Sequence, residues 1–469
     1  MSTSEIGLIG LGTMGAALAL NIADNGFDIA VWNRTTSTTK RFKDDAGALA
    51  SKITATETLE ELVQAIKKPR AIILMVPAGQ AVDDQIAALR PLLDDDDVII
   101  DAGNANFHDT NRRAAADEGP FLGIGVSGGE EGARFGPSIM GGGKRAHWDR
   151  VAHILTAISA KHQGTPCATW MGEDGAGHFV KAVHNGIEYA DMQMIAEIYG
   201  MMRDGLGMSA AEVGDVFAKW DKGSLKSYLI EISGKVAHTT DPETGKPMLD
   251  VIVDAAGQKG TGRWTVIEAQ HLAAPIPAIE AAVVARNLSS QRDNRALGEE
   301  TFGAAPHRLA HDMMATETLE QALIAGKIMC YAQGFEMISK ASEEFGWALP
   351  LPEIAKVWRA GCIIRSAMLD DMATALAADA KMNLIFAPLF SEKIKKTHNA
   401  LRQVVAQGAL HGIAMPALSS GLAYFDAMRT ARGAANMIQG QRDFFGAHGF
   451  ARIDGGEGHH GPWGNGSKG

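Results

Sequence analysis

Ile6-Gly-Leu-Ile-Gly10-Leu-Gly12-Thr-Met-Gly15, running straight into Ala16-Ala-Leu-Ala-Leu-Asn-Ile-Ala-Asp24, is the stretch on which the fold turns. Four residues, Ile6 to Ile9, read as a short apolar strand. The glycine-rich turn opens an Ala/Leu-rich helix, Asn25-Gly26 stops it, and Ile29 to Trp32 forms a second strand. A G-x-G-x-x-G alone is a weak signal; between a strand and a helix it becomes a dinucleotide-binding turn. Gly10 permits the tight turn, Gly12 lets a pyrophosphate approach the backbone, and Gly15 lets helix and strand pack closely. Leu11, Thr13 and Met14 complete the loop, whose free N–H groups and helix dipole favour an anion.

Working outward, further buried-type strands are expected at 71–76, 98–101 and 121–126, with helical stretches between them. Strands alternating with helices predict a parallel, doubly wound α/β domain of Rossmann type. From about Gly177 the texture changes. Ala/Met/Leu-rich segments at 177–204, 266–296, 318–346, 366–379 and 395–411 predict a large all-α domain without a strand series. The expected division is 1–176, 177–436 and a C-terminal tail, 437–469. From Gly455 onward 7 of 15 residues are Gly, which predicts a flexible or wrapping end.

Composition narrows the function classes. The 469 residues carry 44 Lys+Arg against 55 Asp+Glu, a net charge of −11, which argues against nucleic acid as a partner. The longest apolar run, Ala71 to Ala78, is far too short to cross a bilayer, and no secretory start is visible, so neither membrane nor export is expected. Cys167, Cys330 and Cys362 are odd in number and stand in no pairing motif, as expected for a reducing, cytoplasmic setting. An anionic ligand bound by so acidic a chain needs locally gathered cations.

Cations stand at three places. Asn33-Arg34-Thr35 follows the second strand, where an NAD-binding protein carries an acid for the ribose hydroxyl. Arg34 there suits a 2′-phosphate, so NADP is expected. Lys181, His184, Asn185, Glu188 and Tyr189 recur at i, i+3, i+4, i+7 and i+8 and share one helix face. A solvated face more usually repeats Lys and Glu, whereas a base and an acid side by side suit paired proton transfer. Two glycine-rich loops complete the set. Ser127-Gly128-Gly129 offers N–H groups and a hydroxyl to a carboxylate, and Lys259 stands among glycines in 256–262, suited to a phosphate. Taken singly, each of these loops is better read as an ordinary tight turn. No His, Cys and carboxylate group has metal-ligand spacing, so no metal is expected.

With GLGTMG, WNRT, DAGNANFHDT, GVSGGEEGARFGPSIM, GAGHFVKAVHNGIEYADMQ, AGQKGTGRWT, ARNLSSQRD and QRDFFGAHGF in view, the chain resembles the decarboxylating 6-phosphogluconate dehydrogenases, from Gly7 to about Trp463. The resemblance implies oxidation of 6-phosphogluconate with NADP and release of carbon dioxide to give ribulose 5-phosphate, a step of the pentose phosphate pathway. It implies Lys181 as general base and Glu188 as the acid that protonates the enediol, with His184 and Asn185 beside them. Asn104, Ser127, Gly128, Gly129, His184 and Asn185 correspond to contacts with the substrate carboxylate and hydroxyls, and Tyr189, Lys259 and Arg286 to its phosphate site. Arg442 and His448 correspond to groups that a homodimer contributes to the partner's site. Cofactor contacts correspond to Gly10 through Gly15, Asn33, Arg34, Thr35, Val76, Pro77, Ala78 and Asn104. Many members have a Lys where this chain has Pro77, which brings neither charge nor N–H to that contact.

The implied chemistry makes a demand on Lys181. It must begin neutral, so its pKa must lie below the ordinary ~10.4, through burial or a neighbouring cation. Two other readings share part of this pattern. One is a reductase of a different β-hydroxy acid, lacking the phosphate site. The other is a non-catalytic NADP or sugar-phosphate sensor, which has no need of Lys181, Asn185 and Glu188 together.

Overall fold

The computed structural model describes residues 4–116, 119–310 and 313–463. The chain divides into two compact units, Met1–Gly421 and Leu422–Gly469.

The first unit opens with β1 (Ile6–Ile9), α1 (Thr13–Asp24), β2 (Ile29–Trp32), α2 (Thr36–Asp45), β3 (Ile53–Ala55), α3 (Leu59–Gln64), β4 (Ala71–Leu74), α4 (Gln80–Leu89), β5 (Val98–Asp101), α5 (Phe107–Ala115) and β6 (Phe121–Gly123). The six strands form one sheet in the order β3-β2-β1-β4-β5-β6, parallel throughout. Order reverses between β1 and β4, and at such a switch point loops part and leave a crevice. Both faces are covered. Ile6, Leu8, Ile73 and Ile100 enter one core cluster, while Ile9, Ile72, Leu74 and Ile99 enter another. This two-sided burial is why the strands read as unbroken apolar runs rather than alternations.

The sequence pattern places β1, β2 and β5 at their observed limits. The expected strand at 71–76 stops at Leu74, and that at 121–126 splits. Its second half, β7 (Gly125–Ser127), leaves the sheet and joins β8 (Ser138–Gly142) and β11 (Ala168–Gly172) in a separate three-stranded sheet. Between these lie α6 (Gly129–Phe135), α7 (Arg145–Ile158) and a small hairpin, β9 (Lys161–His162) and β10 (Thr165–Pro166).

Helices follow: α8 (Ala176–Gly200), α9 (Ala210–Trp220), α10 (Tyr228–His238), α11 (Met248–Val251), α12 (Thr261–His271), α13 (Pro277–Ser289), α14 (Arg292–Phe302), α15 (Thr316–Glu344), α16 (Leu351–Val357), α17 (Met368–Ala378), α18 (Pro388–Leu410) and α19 (Pro416–Met428). The helix expected at 266–296 is instead three. Ala273 adopts φ 47°, and Pro275 and Pro277 deny the chain the N–H groups a continuous helix needs. Helices α8 and α15 form the centre and pack on each other, and α8 also touches α12, α13, β7 and β8. Around most of its circumference α8 is buried, so its polar stripe is interior rather than solvated.

The second unit contains α20 (Ala435–Gly446) and a loop closed on itself. The Asp443 carboxylate accepts from the Gly449 and Gly461 amides, each at 2.9 Å, from Trp463 Nε1 at 2.6 Å, and meets His460 Nδ1 at 2.7 Å. Residues 455–463, expected to be flexible or wrapping, are thus tied by a side chain that composition gave no reason to single out. Residues 464–469 lie outside the described part.

Candidate active site

The glycine turn has the geometry its sequence implied. Gly10 adopts φ +99°, and a Cβ there would fall 2.4 Å from the Met75 carbonyl oxygen. A Cβ on Gly15 would fall 1.9 Å from the Gly10 carbonyl oxygen, whereas one on Gly12 would meet nothing within 4 Å. Two glycines therefore serve packing, and the third leaves open space at the amino end of α1, where no side chain caps the helix. Asn33 braces the turn by accepting the Leu11 amide at 3.1 Å. Arg34 and Thr35 are exposed beyond β2, and Arg34 has no hydrogen bond or ion pair among the described residues. Val76, Pro77 and Ala78 follow the carboxyl end of β4, and Asn104 follows that of β5. All of these candidates therefore stand at one edge of the parallel sheet. Asp101, fully buried, holds the Asn104 turn by accepting the Gly103 amide at 3.0 Å. These residues fit a dinucleotide with a phosphorylated ribose.

The helix stripe forms a compact polar cluster. Lys181 Nζ donates to Asn185 Oδ1 at 2.8 Å and to Ser127 Oγ at 3.0 Å. His184 brings Nε2 to 3.3 Å from Ser127 Oγ, and its Nδ1 lies 3.0 Å from Asn185 Oδ1 and 3.8 Å from Glu188 Oε2. Asn185 Nδ2 donates in turn to Thr261 Oγ1 at 2.8 Å. A close approach makes this possible: a Cβ on Gly125 would strike the Lys181 Cβ at 2.4 Å, so β7 can carry only Gly where α8 crosses it.

Burial sets the electrostatics. Lys181, 6% exposed, has its pKa lowered by desolvation, opposed by the Glu188 carboxylate. The sequence demanded a lowered pKa through burial or a neighbouring cation, and burial is the cause. Desolvation raises Glu188, against the pull of Lys181 and Arg286, and burial with Lys181 alongside pushes His184 well below the usual imidazole value. An amine pushed toward neutrality and a carboxyl pushed toward protonation thus stand two turns apart on α8, a pairing suited to a base and an acid.

Outside this cluster, the Arg286 guanidinium lies 3.5 Å from the centre of the Tyr189 ring and donates to the Gly257 carbonyl at 2.9 Å. It thereby ties the 256–260 loop to α8. Lys259, on that loop, is exposed and makes no hydrogen bond or ion pair among the described residues. Gly128 and Gly129 stand at the start of α6, directly after Ser127. Arg442, bonded to Gln439, and His448 are exposed in the second unit.

Sequence reasoning missed three features. Thr261 lay inside a quoted motif without being singled out. Asp191 and Lys327 form a fully buried pair, with Lys327 Nζ 2.7 and 2.5 Å from the two carboxylate oxygens, and Asp191 helps to raise Glu188 one turn before it. Finally, no metal-ligand cluster was expected, yet folding assembles His108, Glu268 and His271, whose ligand atoms lie within 4.8 Å of one another.

A Rossmann sheet with an anion-ready turn, followed by a helical domain that buries a lysine beside a carboxyl group, defines a nicotinamide-dependent dehydrogenase. The NAD binding domain of 6-phosphogluconate dehydrogenase matches residues 5–172, and the 6-phosphogluconate dehydrogenase C-terminal domain matches 177–463. The chain belongs to the 6-phosphogluconate dehydrogenase family. It is 46% identical to the NADP(+)-dependent, decarboxylating 6-phosphogluconate dehydrogenase of Bacillus subtilis, covering 97% of this chain and 98% of that one. It is 44% identical to the NAD(+)-dependent, decarboxylating enzyme of the same organism, over 96% and 97% of the two chains. The structure of Plasmodium falciparum 6-phosphogluconate dehydrogenase, described in its apo form and in complexes with its cofactor NADP+ and its substrate 6-phosphogluconate, superposes with a TM-score of 0.92. That likeness, at 39% identity, covers 98% of this chain and all of that one.

Proposed function

We propose that this chain oxidises and decarboxylates 6-phosphogluconate to ribulose 5-phosphate and carbon dioxide, with NADP as the electron acceptor. The observation that carries the reading is the buried Lys181, lowered toward neutrality 3.0 Å from Ser127 and one turn from His184 and Asn185, with a raised Glu188 on the next. The bound nicotinamide supplies a site for the hydride leaving carbon 3. Neutral Lys181 takes the carbon 3 hydroxyl proton as that hydride departs, leaving a β-keto acid. Protonated Lys181 then stands beside the new carbonyl oxygen. When the bond to the carboxylate breaks, its electron pair flows to that oxygen, and the ammonium stabilises the enolate and gives its proton back. Glu188 protonates the resulting enediol at carbon 2, now the terminal carbon, while Lys181, neutral again, takes the proton from the carbon 3 oxygen and the ketone re-forms. Ser127, His184 and Asn185 hold the carboxylate and hydroxyls, and Lys259, Arg286 and Tyr189 surround the phosphate.

Preference for NADP rests on Arg34, which is exposed and has no hydrogen bond or ion pair among the described residues. The presence of an NAD-dependent relative at similar identity makes that residue the one to test. We further assign 1–176, 177–436 and 437–469 to cofactor binding, substrate and dimer contacts, and a tail that brings Arg442 and His448 to the partner's site. Exposed apolar side chains support a homodimer: Val284, Leu288, Leu297 and Phe302 on α13 and α14, and Phe444 and Phe445 on α20. Among the described residues no helix is long and apolar enough to cross a membrane. The test is an assay of purified protein following NADPH absorbance and carbon dioxide release with 6-phosphogluconate, repeated with NAD and with 3-hydroxyisobutyrate. Turnover of the latter alone would overturn the reading.

A further inference from the structure

Glu268, on α12, is a carboxylate with only 6% of its side chain exposed, and its side-chain partners among the described residues are two imidazoles rather than Lys or Arg. Its Oε2 lies 2.8 Å from His108 Nε2 and 3.3 Å from His271 Nδ1. Glu268 and His271 stand three apart at the end of α12, so they share one helix face. His108 comes from α5, 160 residues earlier, and its backbone is fixed because Asn106 caps that helix by accepting the His108 amide at 3.0 Å. The two imidazoles are exposed, with 53% and 66% of their side chains accessible, so the group is anchored at its base and open at its mouth.

We propose that His108, Glu268 and His271 form a binding site for a divalent transition-metal ion of the zinc class. A doubly charged ion seated between the two ring nitrogens and the buried carboxylate oxygen would complement the carboxylate's charge directly. Ligands of one tetrahedral zinc stand about 3.3 Å apart for bonds of about 2.0–2.1 Å; here the carboxylate oxygen lies 2.8 and 3.3 Å from the two ring nitrogens, and all three ligand atoms lie within 4.8 Å of one another. Two nitrogens and one oxygen favour zinc, nickel or copper over magnesium or calcium, and three protein ligands leave a fourth position for water. Bound there, the ion would join α5, which follows the Asn104 turn, to α12, whose first residue Thr261 holds Asn185. It would thus clasp the cofactor side of the cleft to the substrate side.

Calorimetric titration of the full-length, metal-stripped protein with zinc chloride tests this. One zinc per chain is expected, unaffected by excess magnesium, with a zinc-dependent rise in melting temperature. His108→Ala, Glu268→Gln and His271→Ala should each weaken binding by at least about tenfold and abolish the rise. His238→Ala, which removes a surface imidazole paired with Asp215, should change neither. Absence of stoichiometric zinc binding, or equal binding by wild type and all three ligand variants, would overturn the site. The circular dichroism of each variant confirms that it is folded. Because the readout is binding, its failure leaves the proposed reaction untouched.

Discussion

Asn185 and Thr261, 76 residues apart, are joined by a buried hydrogen bond of 2.8 Å, and Asn185 uses its other terminus, Oδ1, to receive the Lys181 amine at 2.8 Å. Thr261 therefore decides which way the Asn185 amide faces, and so what acceptor Lys181 meets. Thr261→Val keeps the shape and removes the acceptor. Loss of one such bond is worth about 1 kcal/mol, so kcat should fall roughly fivefold with little change in the KM for NADP. Thr261→Ser should recover it. A uniform loss in both variants would mark a packing role only.

Lys181→Met should retain fold and cofactor binding while losing two or more orders of magnitude in turnover, the usual worth of a positioned base (~10²–10⁴). Stability supplies a second readout. Burial lowers the folded pKa of Lys181 below its unfolded value of ~10.4, so the unfolded chain binds the proton more tightly. That penalty is greatest below the folded pKa and vanishes as pH rises toward ~10.4. The melting temperature of Lys181→Met relative to wild type should therefore decline as pH is raised from neutrality toward 10. A difference independent of pH would show that the amine titrates alike in both states.

Arg34→Glu places a carboxylate where the 2′-phosphate would lie. A charge-assisted hydrogen bond is worth roughly 1.5–3 kcal/mol, so the ratio of NADP to NAD efficiencies should drop by about tenfold or more. Equal losses with both cofactors would assign Arg34 to the loop's structure alone.

The Lys327–Asp191 pair is fully buried, with side chains 0% and 1% exposed. Lys327→Met alone should cost about 3–5 kcal/mol, because it strands a carboxylate in the core, whereas Lys327→Met with Asp191→Leu should cost far less. Urea denaturation of both variants measures this, and equal costs would contradict the strain assigned to the stranded acid.

Mixing Arg442→Ala with Lys181→Met subunits, each inactive alone, should restore partial activity in the heterodimer, because one site then takes its Lys from one chain and its Arg from the other. Proven heterodimers without activity would return Arg442 to its own subunit or to no site.

What could be read in the sequence was local. The strand, turn and helix around Gly10 lie within 20 residues, and the stripe from Lys181 to Tyr189 obeys one helical period, so neither needed distant partners to be seen. What escaped was assembled from afar or decided by packing. The 266–296 stretch has helical composition, and Pro275 and Pro277 break it only locally. That the stripe is interior depends on α12, α13 and α15 closing over α8. Thr261, the Lys327–Asp191 pair and the His108–Glu268–His271 group each join elements 76 or more residues apart, and no spacing rule reaches that far.

Asp443 has a dynamic consequence. Two backbone amides, an indole and an imidazole converge on one carboxylate, and Phe450 and His459 exchange backbone bonds within the loop it closes. Those bonds share an acceptor, so they cannot fail one at a time without exposing the rest. The amides of Gly449 and Gly461, twelve positions apart in the chain, should therefore exchange their hydrogens with solvent at a common rate, in a single opening event.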